Sequence, residues 1–172
     1  EMLIKNGLCY PPHEVKYEQS IVAPAVNYLF QLYELTGKIL YLEEGKKQLA
    51  VLVLFNGHQP DFHMYENAVR DWDGYWFGKY KNLGDTFPHY WSSLSGVAFR
   101  EYEKITGERS YGVKAENSLR GVLSMINGDG SASCAYVYPS MVNKVRCQYA
   151  DPWANDQDWA LYYYLKEGKN YD

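Results

Sequence analysis

The feature that most constrains the fold is an internal repeat. The stretch "YELTGKILYLEEGKKQLAVLVLFNG" begins at Tyr33, and "YEKITGERSYGVKAENSLRGVLSMING" begins at Tyr102. When the two copies are set seventy positions apart, Gly37 coincides with Gly107, and a threonine precedes each glycine. A fixed period of this kind is typical of proteins in which similar supersecondary units stack on one another.

Each copy predicts a helix, a tight turn at glycine and a second helix. Gly37 and Gly107 stand where a residue in the left-handed conformation ends a helix. Apolar residues recur at helical spacing on both sides of the glycine. In the first copy they are Leu29, Leu32, Leu35, Leu42, Leu49, Leu52 and Phe55, and in the second Leu94, Ala98, Tyr102, Ile105, Val113, Leu119, Val122 and Met125. The unit is therefore predicted to be an αα-hairpin.

Other segments complete the predicted set of helices. A stripe of apolar residues predicts a helix over residues 62–77, between the two copies. The helix that leads to Gly107 is predicted to begin near Pro88, because proline is tolerated in a first helical turn. A last helix is predicted to begin at Asp151, an N-cap residue followed by proline, and its "WALYYYL" run predicts that this helix is buried.

The predicted fold class is all-α, built from αα-hairpin repeats with about six helices, or three hairpins. Glycine, serine and proline residues with short alternating runs predict an irregular or β-hairpin insertion near residues 129–150. Residues 1–19 are interpreted as an irregular N-terminal arm and residues 20–172 as a single domain. The chain of 172 residues is long enough to bury a core of its own.

Charge and composition exclude several partners. The net charge is −4 and no Lys/Arg-rich run occurs, so nucleic acid is not a predicted partner. No run of about twenty apolar residues occurs, so no membrane-spanning helix is expected.

The cysteines Cys9, Cys134 and Cys147 lack metal-site spacing, and both a Cys134–Cys147 disulfide and reduced thiols stay open. No cofactor is predicted, because no fingerprint motif is found. No leader is visible, but a chain that opens with Glu1 leaves the location open.

One stretch combines aromatic and acidic residues. "DWDGYWFGKYKNLGDTFPHYWS", from Asp71 to Ser92, holds eight aromatic residues, three aspartates and one histidine. A packed core normally excludes carboxylates, and a solvated loop normally excludes aromatic rings. Aromatic faces pack against the apolar faces of sugar rings, while polar groups bind the hydroxyls. The mixture therefore indicates a carbohydrate-binding cleft, with a tyrosine-rich core as the alternative.

Four segments, taken in order, resemble a known superfamily. They are "YELTG…YLEEGKKQL", "HMYENAVRDWDGYWFGK", "GDTFPHYWS" and "DPWANDQDWALYYYL". Over residues 23–166 the chain resembles the six-hairpin glycosidases, which fold as (α/α)6 toroids. The resemblance implies a carbohydrate-active enzyme with its cleft at one mouth of the toroid, lined by loops between helices. Because the chain supplies about three of six hairpins, it resembles the C-terminal half of such a domain. We therefore expect either a missing N-terminal half of the same protein or self-association through an apolar flank.

Three aspartates are predicted as catalytic carboxylates, because glycoside hydrolysis commonly uses two carboxyl groups, one of them with a raised pKa. Asp73 lies at the edge of the apolar stripe of the predicted 62–77 helix, where burial raises a carboxyl pKa. Asp156 lies three residues before Trp159 and ranks second, and Asp85 ranks third. Each has a structural alternative: a hydrogen bond to a helix end for Asp73, a first-turn acid for Asp156 and a turn or cap for Asp85.

The remaining predicted site residues are assigned to substrate binding. They are Trp72, Tyr75, Trp76, His89, Trp91, His58, Gln59, Trp153 and Asn155. His89 falls in the first turn of the helix predicted near Pro88, where the positive helix end favours a neutral imidazole that binds a hydroxyl. The "NGHQPDFH" segment lacks a common metal-ligand spacing, so no metal is predicted and a substrate-binding loop is preferred.

Three functions are compatible with these residues. The first is a glycoside hydrolase, or a fragment of one, acting on an oligo- or polysaccharide. The second is a polysaccharide lyase on a similar toroid, in which Tyr75 or His89 abstracts a proton and Lys79 holds a uronate. The third is a helical domain that only binds sugar or protein.

Overall fold

The computed structural model describes residues 19–53, 85–89, 91–123, 125–132, 135–138, 141–142, 145–146 and 157–167. The helices in these ranges are α1 (Gln19–Thr36), α2 (Ile39–Val53), α3 (Ser92–Thr106), α4 (Arg109–Leu123) and α5 (Gln157–Glu167). The short strands are β1 (Asp85–His89), β2 (Ala135–Tyr138), β3 (Met141–Val142) and β4 (Val145–Arg146). The architecture is one of antiparallel helical hairpins, as the repeat predicts, and it fits part of an α/α toroid.

The two helical hairpins, α1–α2 and α3–α4, turn in the same way. Gly37 and Gly107 have φ values of +66° and +76°, in the left-handed region that glycine adopts without steric cost. The N–H of Gly37 donates to the Tyr33 carbonyl at 2.8 Å, and that of Gly107 donates to the Glu103 carbonyl at 2.7 Å. Both bonds join the glycine to the carbonyl four residues back, so each glycine ends its helix as the sequence predicts.

The threonine before each glycine makes the turn more specific. Its hydroxyl donates to the carbonyl four residues back, at 2.6 Å for Thr36 and 2.7 Å for Thr106. The same hydroxyl accepts the N–H two residues ahead, at 3.3 and 3.2 Å respectively. The repeated Thr-Gly pair therefore satisfies backbone groups that a helix end otherwise leaves without partners.

The α3–α4 hairpin packs on the α1–α2 hairpin through one apolar core. Its buried members are Val22, Ala23, Val26, Phe30, Leu49, Leu52, Ala98, Phe99, Tyr102 and Ala115. The ring of Phe30 lies 5.7 Å from that of Tyr102, and Tyr111 meets Tyr102 edge-on at 4.6 Å. Aromatic pairs at these separations add to the free energy gained from burial alone.

Contacts between α1 and α3 fix their relative direction. The Asn27 amide donates to the Leu94 carbonyl at 3.2 Å, and Phe30 contacts Tyr102 further along both helices. The two helices therefore run parallel. Both Thr-Gly turns lie at one end of the stack, and the start of α3 and the end of α4 lie at the other, which we call the open end.

The last helix packs on α3 and α4. Its residue Ala160 is fully buried against Val122 and Met125, at the open end. Its final residue, Glu167, accepts a hydrogen bond from Arg100 through its carbonyl oxygen at 3.2 Å. The α5 helix therefore runs parallel to α3 and continues the stack that α3 begins on α1–α2.

A buried arginine joins three helices. Arg100 is only 4% exposed. Its Nη1 donates to Glu103 at 2.6 Å, its Nη2 to Glu116 at 3.2 Å and its Nε to the Glu167 carbonyl. A buried guanidinium needs such a complete set of acceptors, because an unpaired charge in the interior costs several kcal/mol.

A strand occupies the position where the sequence predicts a helix start. The prediction that a helix begins near Pro88 is wrong: α3 begins at Ser92, and Asp85–His89 forms β1. The register on β2 shifts between Thr86, opposite Val137, and His89, opposite Ala135. Three residue steps along β1, from Thr86 to His89, thus match two steps along β2, which is the geometry of a bulge. A proline, which lacks an N–H, is tolerated at a bulge in an edge strand.

Several other expectations are settled by the described residues. The predicted β-hairpin insertion is confirmed, since β3 and β4 pair antiparallel within residues 129–150. The prediction that the "WALYYYL" helix is buried on every side is wrong, because Tyr162 and Leu165 are exposed. Leu35 and Val113, which the helical spacing groups with the other apolar residues of the two hairpins, are exposed as well. Four other expectations lie outside the described residues: the helix over 62–77, the start of the last helix at Asp151, the cysteines, and the arm over residues 1–19 except for Gln19, which begins α1.

Close packing at Gly96 generates a stability prediction. A Cβ at this position of α3 would lie 2.7 Å from Leu119 Cγ and 3.3 Å from the Ala115 carbonyl oxygen of α4. We expect Gly96→Ala to lower the free energy of unfolding by about 1–3 kcal/mol, the usual cost of overpacking. The matched control is Gly128→Ala, where a Cβ meets nothing within 4 Å. Urea unfolding measures both variants, and equal stabilities would contradict the close α3–α4 packing.

The arginine network generates a second stability prediction. Glu116 faces two arginines: the buried Arg100 at 3.2 Å and the largely exposed Arg120 at 3.9 Å. We expect Arg100→Met to cost about 3–5 kcal/mol, because it leaves Glu116 buried without its main partner. We expect Arg120→Met to cost less than about 1 kcal/mol, the usual range for an exposed pair. Similar losses in the two variants, measured by urea unfolding, would show that Arg100 does not hold the helices together.

Candidate functional site

Three segments of the chain meet at the open end. The turn residue Trp91 precedes α3, Val122 and Met125 lie at and just after the end of α4, and Ala160 lies near the start of α5. These four residues form a second apolar cluster, separate from the main core. The segments that carry the predicted site residues, 54–84 and 151–156, connect to described elements at Val53, Asp85 and Gln157.

Trp91 is the predicted site residue whose side chain the structure describes. It is half-buried and packs against the cluster of Val122, Met125 and Ala160. Its carbonyl accepts the Leu94 N–H at 3.0 Å, which starts the first turn of α3 without a side-chain cap. An indole in this position contributes to packing and still presents part of its surface to solvent. Its role in sugar binding stays a prediction.

The strand β1 carries two other predicted site residues, Asp85 and His89. Asp85 pairs with Tyr138 and His89 with Ala135 in the antiparallel ladder, and β1 also contacts α4. Neither residue therefore caps α3, which corrects the capping alternative for Asp85. His89 also lies outside the first helical turn, so the argument that a helix end favours its neutral imidazole does not hold.

A tight loop follows α4 at the same end. The Asn127 N–H donates to the Ser131 carbonyl at 2.7 Å, and Ile126 bridges to Ala132. Ser131 donates both its hydroxyl and its N–H to Asp129 Oδ1, at 2.7 and 2.9 Å. These two hydrogen bonds hold the pKa of the exposed Asp129 carboxyl below its ordinary value. The "GDG" segment is thus a turn, as its sequence indicates, and Asp129 is used within it.

The other predicted site residues lie outside the described part of the chain. They are Asp73, Asp156, Trp72, Tyr75, Trp76, His58, Gln59, Trp153 and Asn155. Of the predicted site residues, the described structure contains Asp85 and His89 on β1 and Trp91 just before α3. Their catalytic and binding roles stay predictions.

Sequence reasoning did not find the charged groups along α4. A pocket of about 650 Å³ follows this helix and is lined by Glu103, Arg109, Glu116, Asn117 and Arg120, among others. Glu103 and Glu116 on its floor are held by Arg100. A signal was available in the repeat, because Arg100 stands where the first copy has Phe30, a fully buried residue. A charge at a core position of a repeat indicates a buried polar network.

Two features are absent from the described ranges. Within them, no helix combines the length and apolar character needed to cross a membrane. Among the same residues, no group of three or more His, Cys, Asp or Glu side chains is arranged to hold a metal ion.

Comparison with known proteins gives one informative likeness. No protein-family profile matches the chain, and no curated protein matches it either. Among solved structures, the chain is similar to a polysaccharide lyase, with 55% sequence identity and a TM-score of 0.73. The match covers 95% of this chain and spans 24% of the lyase chain. At this identity the likeness extends beyond the fold to the sequence of this segment.

The packing of Trp91 generates a prediction with two readouts. We expect Trp91→Ala to lower the free energy of unfolding by about 2–3 kcal/mol, less than a fully buried tryptophan would cost. Trp91→Phe keeps an aromatic ring on the cluster and should cost less than about 1.5 kcal/mol. Tyr162→Ala, at an exposed aromatic residue of α5, is the control and should cost less than about 0.5 kcal/mol.

The same variants test the sugar platform. If the exposed part of the indole binds sugar, Trp91→Phe should weaken oligosaccharide affinity more than it weakens stability, as followed by tryptophan emission or calorimetry. Lost stability with unchanged affinity would mean that Trp91 serves packing alone.

Proposed function

We propose that this chain is a segment of a polysaccharide lyase and contributes residues of its open end to substrate binding and proton transfer. The observation that carries the proposal is 55% identity to a polysaccharide lyase over 95% of this chain. Because the match spans 24% of that lyase, the activity is proposed for a longer polypeptide rather than for this segment alone.

A lyase cleaves the glycosidic bond by elimination, without the water molecule that a hydrolase adds across that bond. A general base removes the proton from the carbon next to the carboxylate of a uronate, and the electron pair of that C–H bond forms a carbon–carbon double bond. The glycosidic C–O bond breaks, and its oxygen leaves with a proton from a general acid. A cation beside the carboxylate stabilises the negative charge that develops in the transition state. The chain offers His89 or Tyr75 as the base and Lys79 as the cation.

The hydrolase interpretation has weaker support. It rests on the resemblance to six-hairpin glycosidases and on the carboxylates Asp73, Asp156 and Asp85. That resemblance implies a toroidal fold, which a hydrolase and a lyase can share, so it does not select the reaction. The sequence identity to a lyase does favour one reaction over the other, and the lyase is therefore our first proposal.

The reaction type is tested with the whole polypeptide that the gene encodes. It is incubated with uronate-containing and neutral polysaccharides, and ultraviolet absorbance and reducing ends are followed together. We expect absorbance and reducing ends to rise in parallel on a uronate-containing substrate, because each elimination forms one unsaturated product. Reducing ends without absorbance would support the hydrolase instead. The absence of both signals would support a domain that only binds sugar.

The proposed base is tested in the same assay. His89→Ala or Tyr75→Phe should lower kcat by about 10²–10⁴-fold, the usual contribution of a general base, while the melting temperature stays close to that of the parent. His13→Ala, in the predicted N-terminal arm, is the matched control and should leave kcat unchanged. If Asp73→Asn or Asp156→Asn abolishes turnover while both base variants stay active, the carboxylate mechanism replaces this one.

A further inference from the structure

The repeat identifies equivalent faces on α1 and α3. With the offset of seventy residues, Ala98, Tyr102 and Ile105 of α3 correspond to Tyr28, Leu32 and Leu35 of α1. On α3 this face docks on the preceding hairpin: Ala98 and Tyr102 are buried in the core that α1 and α2 form, and Ile105 packs against it. We call the residues Tyr28, Leu32 and Leu35 the α1 face.

The α1 face is exposed although it is apolar. Tyr28 is 51% exposed and Leu35 is 82% exposed, whereas Leu32 is half-buried. The start of α2 extends the surface, because Ile39 and Leu40 are also exposed. The equivalent positions of the second hairpin, Arg109 and Ser110, are exposed and polar. The first hairpin is therefore apolar at two exposed positions where the second hairpin carries polar side chains.

We infer that the α1 face is a docking surface for another αα-hairpin of the same stack. A terminal unit of a complete helical array carries a polar outer face, and the α1 face is not of that kind. Among the described helices, α3 packs on the first hairpin and α5 packs on the second. A hairpin docked on the exposed α1 face would extend this series of contacts by one unit.

The occupant belongs to the same polypeptide. The similar lyase is about four times longer than the segment that this chain matches, so it holds further chain from which such a hairpin is drawn. Aliphatic side chains form most of the exposed surface, and these suit a helix–helix contact better than a sugar, which aromatic rings bind. The inference concerns assembly of the helical scaffold and goes beyond the proposed reaction.

Thiol labelling tests the surface without any assay of activity. Leu35→Cys is prepared with Cys9, Cys134 and Cys147 replaced by serine, both in this 172-residue chain and in the whole gene product. Glu43→Cys is the matched control, because Glu43 and its equivalent in the second hairpin, Val113, are both exposed. We expect Leu35→Cys to react at least roughly tenfold more slowly in the whole gene product than in this chain, as is usual for a site protected by packing. The control should react at the same rate in both.

Two results would overturn the inference. Equal labelling rates of Leu35→Cys in the two polypeptides would show that nothing in the gene product covers the α1 face. Labelling of this chain that slows with its own concentration, together with a dimer in sedimentation, would assign the surface to a second copy. Neither result bears on the lyase proposal, because both variants are read by thiol reactivity and mass.

Discussion

The docking of each helical layer on the one before it is the interaction on which the rest of this structure depends. At the first junction Phe30 lies against Tyr102, an uncharged contact between two aromatic rings. At the second junction the equivalent residue is Arg100, which reaches Glu103, Glu116 and the last carbonyl of α5. The contact between α1 and α3 is thus stabilised by aromatic burial, and the contact between α3 and α5 by a buried charge with its acceptors. The second solution tolerates less change, because removing one partner leaves the others buried and charged.

This stacking places the open end on rigid supports. The starts of α3 and α5 and the end of α4 converge on the cluster around Trp91, and β1 is held both by β2 and by α4. Loops that carry binding residues work best when a rigid scaffold fixes where they begin and end. The Thr-Gly turns at the opposite end need only close each hairpin, and their two copies are nearly identical in hydrogen-bond geometry.

How much could be predicted from the sequence depends on whether a local rule decides the outcome. The turns at Gly37 and Gly107 were predictable, because the left-handed conformation and the threonine hydroxyl act within six residues. Pro88 misled the prediction, because proline suits both a helix start and a bulged edge strand, and pairing with β2 decides between them. The exposed sides of α1 and α5 were missed for another reason: an apolar residue looks alike whether its partner lies within this segment or beyond it.

The network of Arg100 also limits which cation can serve a uronate. All three kinds of guanidinium nitrogen of Arg100 already donate to acceptors within the protein, so this arginine has no role left for an anionic sugar. Lys104 is engaged in the same region: burial lowers its pKa, but hydrogen bonds to Glu101 and Glu167 outweigh that effect and hold the pKa above its ordinary value. Both cations therefore belong to the scaffold between α3 and α5. In the lyase proposed above, the cation beside the substrate carboxylate is therefore neither Arg100 nor Lys104, and Lys79, which lies outside the described residues, stays our proposal for that role.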